Sequence, residues 1–217
     1  MGGADSSPFD SFADAYDDWF RSGEGRSIFI TEVLAFRKVL DLLPQPWIEV
    51  GVGSGRFAQA LGIGLGLDPS VALLHKADRR RVEVVRGRGE QIPFRSHSFG
   101  TAFLIVTLCF VKRPLDVLRD THRVLVANGA LVLGLVLSQS AWGQFYGRQK
   151  EQGHRFYRRA TFYSYQDVLM LLGRTGFEVQ RVISTLFQRP GQVRSVEQAQ
   201  VGYQSDAGFT VLVATKR

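Results

Sequence analysis

Thiols are nearly missing from this sequence: of 217 residues, Cys109 is the single cysteine. That excludes a disulfide framework and any zinc site built from cysteines. Long apolar runs are missing as well. Ala130–Leu137 is eight residues long and contains Gly134, far short of the roughly 20 needed to cross a bilayer. Met1–Asp17 is acidic and has no basic stretch leading into an apolar one, which argues against a secretory leader. No internal repeat and no low-complexity linker divides the chain. The expectation is one soluble cytoplasmic domain over residues 1–217, without a membrane partner.

What is present is the composition of a folded domain. Hydrophobic residues make up 45%, aromatics 12% and charged residues 22%, which rules out a disordered chain. Basic residues outnumber acidic ones, 27 to 20, for a net charge of +7. The surplus is uneven: residues 141–217 carry eleven Lys and Arg against five Asp and Glu, while residues 1–140 carry sixteen against fifteen. Asp5, Asp10, Asp14, Asp17 and Asp18 make the start acidic, and Lys76, Arg79, Arg80, Arg81, Arg86 and Arg88 form a basic cluster. A basic last third suits nucleic acid, an anionic small substrate, or a solvated surface.

Hydrophobic periodicity orders the chain. Phe9, Phe12, Tyr16, Trp19 and Phe20 recur at three- and four-residue steps, as on one face of a helix. After a Ser22–Gly25 break, a second helix is expected from Arg26 to Leu43, stopped by Pro44 and Pro46. The pattern then changes to short apolar strands at Trp47–Val50, Ile63–Leu67, Val82–Arg86, Thr101–Leu108 and Ala130–Val136. Helices are expected at Arg56–Leu61 and Pro114–Val126, with Asn128-Gly129 ending the latter. Strands alternating with helices predict a mainly parallel sheet covered on both faces. A polar-aromatic segment follows at Ser138–Tyr163, then a helix from Tyr165 to Arg174 capped by Ser164 and Asp167, then strands at Phe177–Leu186 and Phe209–Thr215.

The chemistry is concentrated in Glu49-Val-Gly51-Val-Gly53-Ser-Gly55, which leaves a strand and opens a helix. Glycines there let a ligand approach the backbone, at the carboxyl edge where open α/β sheets bind ligands. Asp68, at the end of the next strand, is placed to accept hydrogen bonds from both hydroxyls of a ribose. A dinucleotide turn wants a third glycine where this chain has Arg56, so no pyrophosphate is implied and a nicotinamide oxidoreductase is the weaker reading.

These residues resemble the class I S-adenosylmethionine-dependent methyltransferases, in particular the UbiE-like or methyltransferase-11 type that acts on small molecules. The resemblance runs through Glu49–Gly55, through Gly66-Leu-Asp-Pro-Ser70, and through Gly87-Arg-Gly-Glu-Gln-Ile-Pro-Phe94, where the family often has G-D-A-E-x-L-P-F. It continues through Ser98-Phe99-Gly100, Thr107–Val111 and Arg123–Gly129. It implies a Rossmann-like α/β three-layer sandwich whose seven-stranded, mostly parallel sheet has an antiparallel last strand. Residues 9–43 would form a helical lid, 47–137 the cofactor-binding core, 138–163 a cap insertion, and 164–217 a closing helix and strands.

The implied cofactor is S-adenosylmethionine, released as S-adenosylhomocysteine. Gly51, Gly53 and Gly55 would approach it by backbone, Glu49 would face its methionine end, and Asp68, beside Pro69, would bind the ribose. Gly89, Glu90 and Gln91 would lie along the adenine, and Val106 and Thr107 along the sulfonium. Arg88 and Gly100 depart from the family, each standing where an acid is usual.

Methyl transfer from a sulfonium needs proximity and orientation first, with a general base only if the acceptor must lose a proton. His154 and Tyr16 are the candidates for such a group, since imidazole titrates near neutrality. Acceptor contacts are expected from Tyr16, Trp19, Trp142, Tyr146, His154 and Tyr157, although plain packing accounts for aromatics in such places equally well. Arg148, Lys150, Arg155, Arg158 and Arg159 lie among them and suit an anionic or aromatic small molecule. RNA is the second acceptor, and a non-catalytic cofactor-binding protein the third reading. No metal site is expected.

Overall fold

The alternation of apolar strands and amphipathic helices builds the expected layered α/β architecture. The computed structural model describes residues 9–217, apart from the side chain of Tyr16; Met1–Pro8, the start of the acidic segment, lie outside the described residues. A 3-10 turn at Asp10–Phe12 leads into α1 (Ala13–Trp19) and α2 (Gly23–Arg37). Ser22 starts α2 rather than breaking the chain: its hydroxyl accepts from the Gly25 amide at 3.1 Å, satisfying a helix-terminal donor. The sheet region then runs β1 (Trp47–Val50), α3 (Arg56–Leu61), β2 (Leu65–Asp68), α4 (Val71–Arg79), β3 (Glu83–Arg86), β4 (Phe99–Ile105), α5 (Pro114–Val124) and β5 (Leu125–Leu135). The segment 138–163 holds α6 (Ala141–Glu151) and a 3-10 turn at Tyr157–Arg159. After it come α7 (Tyr165–Gly173), β6 (Phe177–Thr185), β7 (Gln200–Val201) and β8 (Phe209–Lys216). The capping box at α7 forms as read, with Ser164 and Asp167 bonding each other's backbone amides.

The sheet order is β3-β2-β1-β4-β5-β8-β6-β7. Strands β1 to β5 are parallel, and β8 inserts antiparallel to both β5 and β6. There are eight strands where seven were expected; the extra one is β7, a two-residue edge strand on β6. One face of the sheet is covered by α2 and α3 through Phe36, Phe57, Phe103 and Phe209. The other is covered by α5 and α7 through Leu104, Leu118, Leu131 and Val168. All seven residues of β4 are buried, as a strand at the centre of a doubly covered sheet must be. No described helix is long and apolar enough to cross a membrane.

Two local expectations change. Asn128-Gly129 does not end α5, which stops at Val124, but lies within the range of β5, in the irregular stretch between Leu125, paired with Phe99, and Ala130, paired with Thr101; Asn128 turns there at φ 58°. Gly100, which looked like a lost acid, is dictated by close approach: a Cβ there would stand 2.5 Å from the carbonyl oxygens of Pro44 and Gln45. Its strand is anchored instead by the Gly100 amide to the Pro46 carbonyl (2.9 Å) and the Thr101 hydroxyl to the Pro44 carbonyl (2.7 Å). Restoring the family's acid with Gly100→Asp is therefore expected to cost about 2–4 kcal/mol in urea unfolding, from overpacking plus a carboxylate forced against carbonyls.

Candidate active site

The strand order reverses between β1 and β4, and the glycine-rich turn sits at that switch point, on the carboxyl edge. Gly51, Gly53 and Gly55 have φ of 81°, 53° and 77°, a left-handed run that side chains resist. The Gly51 and Val52 amides both donate to the Leu67 carbonyl, at 2.7 and 3.0 Å, tying the turn to β2. A Cβ on Gly51 would lie 2.4 Å from the Thr107 side chain, whose hydroxyl donates to the Gly51 carbonyl at 3.3 Å. The turn and the end of β4 thus press together with no room between them.

Two buried acids flank this turn. Asp68 accepts from the Gly53 amide at 2.9 Å and from the Ser70 amide at 2.8 Å, one on each carboxylate oxygen. Burial nevertheless lifts its carboxyl to about 6. Each oxygen retains a second lone pair for a ligand hydroxyl. Glu49 is 2% exposed, and its Oε2 has no hydrogen-bond partner. Burial, with the Asp68 charge adding to it, pushes the Glu49 carboxyl well above its ordinary range. An unmade bond of this kind costs about 1–3 kcal/mol, so the position suits a donor brought by a ligand.

Along the same edge, Gly89 is close-packed under Val50 and Val117, Glu90 is half-buried and Gln91 exposed. Arg123 holds this loop, donating to the carbonyls of Phe94 (2.8 Å) and Ile92 (2.9 Å) while ion-paired to Asp120. Val106 follows β4 with φ 51°, a left-handed conformation that a β-branched residue adopts only under constraint and that clusters at functional sites. Cys109 donates to the Val106 carbonyl, and burial pushes its thiol up to about 12, so it stays a thiol.

The N-terminal segment contributes what sequence reading missed. Arg56, the residue in the third-glycine position, donates to both oxygens of Asp17 at 2.7 and 2.9 Å. Arg80 donates to the same two oxygens at 2.9 and 2.8 Å and to the Ser54 carbonyl at 2.7 Å. Burial alone would raise the Asp17 carboxyl, but the two guanidinium groups outweigh it and hold it at about 2. Asp10 accepts from the Ser70 hydroxyl at 2.6 Å and the Ala72 amide at 3.3 Å, and Lys76 pairs with Asp14 at 2.6 Å. The acidic start and the basic cluster at 76–80 are therefore partners, and together they strap α1 across the glycine-rich turn.

The cap aromatics divide by environment. Trp142 is 3% exposed with its indole N–H donated to the Gln188 carbonyl at 2.8 Å, a core position. Tyr146 packs on Tyr157 with centroids 4.4 Å apart and lies near-parallel to Phe162 at 6.1 Å. His154 stacks on Tyr157 at 5.1 Å, its Nδ1 accepting from the Phe156 amide. Trp19 is 39% exposed with its ring edge on Phe20. The side chain of Tyr16 lies outside the described residues. Arg148, Lys150, Arg155, Arg158 and Arg159 are exposed; Arg155 lies over the rings of Phe12 and Phe156. Among the described residues no His, Cys, Asp and Glu cluster could hold a metal ion.

A parallel sheet with an antiparallel strand inserted near its end, a G-x-G-x-G turn at the switch point and an acid closing the next strand define the class I S-adenosylmethionine-dependent methyltransferases. Comparison with known proteins agrees. The model of the methyltransferase domain family matches residues 48–133. A solved structure from Thermotoga maritima, described as a S-adenosylmethionine-dependent methyltransferase and possible histamine N-methyltransferase, is 34% identical with a TM-score of 0.89, covering 97% of this chain and 99% of that one. A Mycobacterium tuberculosis protein of unassigned function is 42% identical over 93% of this chain and 71% of its own length. Another, from Methanocaldococcus jannaschii, is 31% identical over 96% and 98%. The chain belongs to this methyltransferase family, and its cofactor is S-adenosylmethionine. The residues present suit that group: a left-handed glycine turn on the carboxyl edge, and at Glu49 a buried carboxylate oxygen lacking a donor.

Proposed function

We propose that the protein methylates a small molecule held between the turn at 51–55 and the cap of residues 138–163. The observation that carries this reading is the unpartnered Glu49 Oε2 beside the close-packed Gly51 turn. In this reading the backbone of Gly51 and Gly53 borders the cofactor's methionine end, with Glu49 accepting from its amino group. Gly55 lets α3 approach α4 and so sets the height of the turn. Asp68, backed by Pro69, accepts from the ribose hydroxyls, Gly89, Glu90 and Gln91 follow the adenine, and Val106 and Thr107 border the sulfur. The cofactor supplies an electrophilic methyl on a good leaving group. The chain's own task is to align the acceptor and exclude water, an effect that reaches about 7–11 kcal/mol in favourable cases. The Thermotoga maritima relative's description supports a small acceptor.

S-adenosylhomocysteine at about 100 times its Kd should add about 2.7 kcal/mol of stability, a rise of about 5–10 °C in melting temperature for a chain of this size. No shift at millimolar concentration would refute the reading. RNA remains the second acceptor, favoured by the surplus of basic residues at 141–217. It would show as RNA binding that weakens steeply with salt.

A further inference from the structure

The glycine turn occupies the carboxyl edge of the sheet, and a cavity of about 330 Å³ opens at the opposite, amino edge. Its floor is Ala130 of β5 with Thr215 and Val213 of β8, and Ala130 pairs directly with Thr215. One wall is apolar: Val39, Leu42, Leu43 and Pro44, from the connection between α2 and β1. Leu42 is 63% exposed there, which leaves a large apolar side chain at the mouth. The volume lies at the lower end of the about 300–1,000 Å³ found for small-molecule sites. From Ala130 to Leu135, at the carboxyl end of β5, the strand runs about 17 Å, so a molecule bound here is out of reach of the methyl-transfer edge.

The other wall is polar, and two irregularities of the sheet fall on it. In β6, Val179 and Arg181 pair with the adjacent residues Ala214 and Val213, so Gln180 is the extra residue of a bulge. Bulges of this kind redirect side chains and recur beside functional sites. In β5, Asn128 turns at φ 58° just before the paired stretch, a conformation that asparagine tolerates. Asn128, Gln180 and Arg181 all line the cavity, beside Thr215. Among the described residues none of these four side chains makes a hydrogen bond, and the Arg181 guanidinium has no ion pair. Glu178, the acid on the same strand, is committed to Arg217 at 2.8 Å. One space therefore combines an uncompensated positive charge, neutral donors and an apolar wall.

We infer that this cavity is a second small-molecule site, separate from the methyl-transfer centre, and that its ligand is a monocarboxylate with an apolar body, of the fatty-acid or arylalkanoate kind. The planar fork of a guanidinium matches a carboxylate with two parallel hydrogen bonds, so Arg181 takes the head group. The apolar body lies along Leu42, Leu43 and Val213. A single cation balances a single negative charge. A phosphate dianion would keep an uncompensated charge against the apolar wall, and an amine would meet Arg181 as a like charge. None of Glu49, Gly51 or Asp68 borders the cavity, so the ligand and S-adenosylmethionine bind at the same time.

The test is calorimetric titration of the full chain with octanoate and 3-phenylpropanoate, beside the neutral octanamide and 3-phenylpropanamide, with and without S-adenosylhomocysteine. At least one carboxylate should bind with a Kd of about 1 mM or tighter, and tenfold or more tighter than its amide. Its Kd should stay within twofold when S-adenosylhomocysteine is present. Arg181→Gln and Leu42→Ser, both at exposed positions, should each weaken it, the first tenfold or more, while melting without ligand moves by no more than about 2 °C. Amide NMR shifts on binding should centre on Ala130, Arg181 and Thr215. No carboxylate binding at 10 mM would overturn the inference, and so would equal binding of the amides or an unchanged Kd in Arg181→Gln. Displacement by S-adenosylhomocysteine would place the ligand in the cofactor edge instead. A dimer in light scattering that Leu42→Ser dissociates would give this face to a second copy of the chain, and that too would overturn it.

Discussion

Asp17→Ala is expected to lower the melting temperature by about 6–12 °C, the equivalent of about 3 kcal/mol in a chain of this length. The carboxylate is 2% exposed and receives four hydrogen bonds from two guanidinium groups. Its removal leaves Arg56 and Arg80 facing each other without a counter-charge, in a place where their side chains keep only 17% of their exposure. That is the costly way to break a buried pair, and the residual exposure sets the estimate at the low end of the range for such losses. Asp18→Ala is the control: its pair with Arg21 lies in water, with both side chains more than half exposed, and its loss should stay within about 0.5 kcal/mol. The acid limb of stability gives a second readout. Because the Asp17 carboxyl is held at about 2 when folded against 3.8 in an unfolded chain, its contribution is present above about pH 4 and is lost as pH falls through about 2. The variant should lack that part of the acid transition. Since Arg56 opens α3 and Arg80 holds the Ser54 carbonyl, the same substitution should also weaken S-adenosylhomocysteine binding.

What the sequence made legible follows from how local each signal is. β1 and α3 fall on the expected residues because a strand, a glycine turn and a helix start are written within a few positions of one another. The cap on α7 is equally local. Asn128-Gly129 does mark a turn, with Asn128 left-handed, but α5 has already stopped at Val124 and Leu125 has paired with β4, a tertiary contact that local turn propensity does not register. The Ser22–Gly25 stretch misleads for the converse reason: two glycines suggest a break, while one serine hydroxyl suffices to start a helix. Two residues hold no periodicity, so β7 could not be foreseen. In the site, the glycines and Asp68 were visible as a motif, but the partner of Arg56 stands 39 residues away and no spacing rule connects them. The one available signal was the substitution itself, a large cation where a related turn has glycine.

The largest loss of function is expected from Gly51→Ala. A methyl group there meets the Thr107 side chain at 2.4 Å and must adopt φ 81°, so two penalties arise at one atom. The backbone penalty is about 1–2 kcal/mol for a side chain in the left-handed region, and overpacking adds about 1–3 kcal/mol. Neither can relax cheaply. Thr107 is fixed to the Gly51 and Ile105 carbonyls, and the Gly51 amide is committed to Leu67. Relief by moving the turn outward would push it into the space assigned above to the cofactor. The thermal shift with S-adenosylhomocysteine should therefore disappear, and kcat/KM should fall at least about 100-fold, equivalent to about 2.7 kcal/mol. A double-mutant cycle separates the two penalties. Thr107→Gly removes all three atoms that the new methyl would strike, so in Gly51→Ala/Thr107→Gly the steric part vanishes and the backbone part remains. The coupling in unfolding free energy should be about 1–3 kcal/mol in favour of the pair. If cofactor binding returns with it, the turn's role is to stay close to β4. If stability returns but binding does not, the Thr107 side chain is itself needed beside the turn for the cofactor to bind.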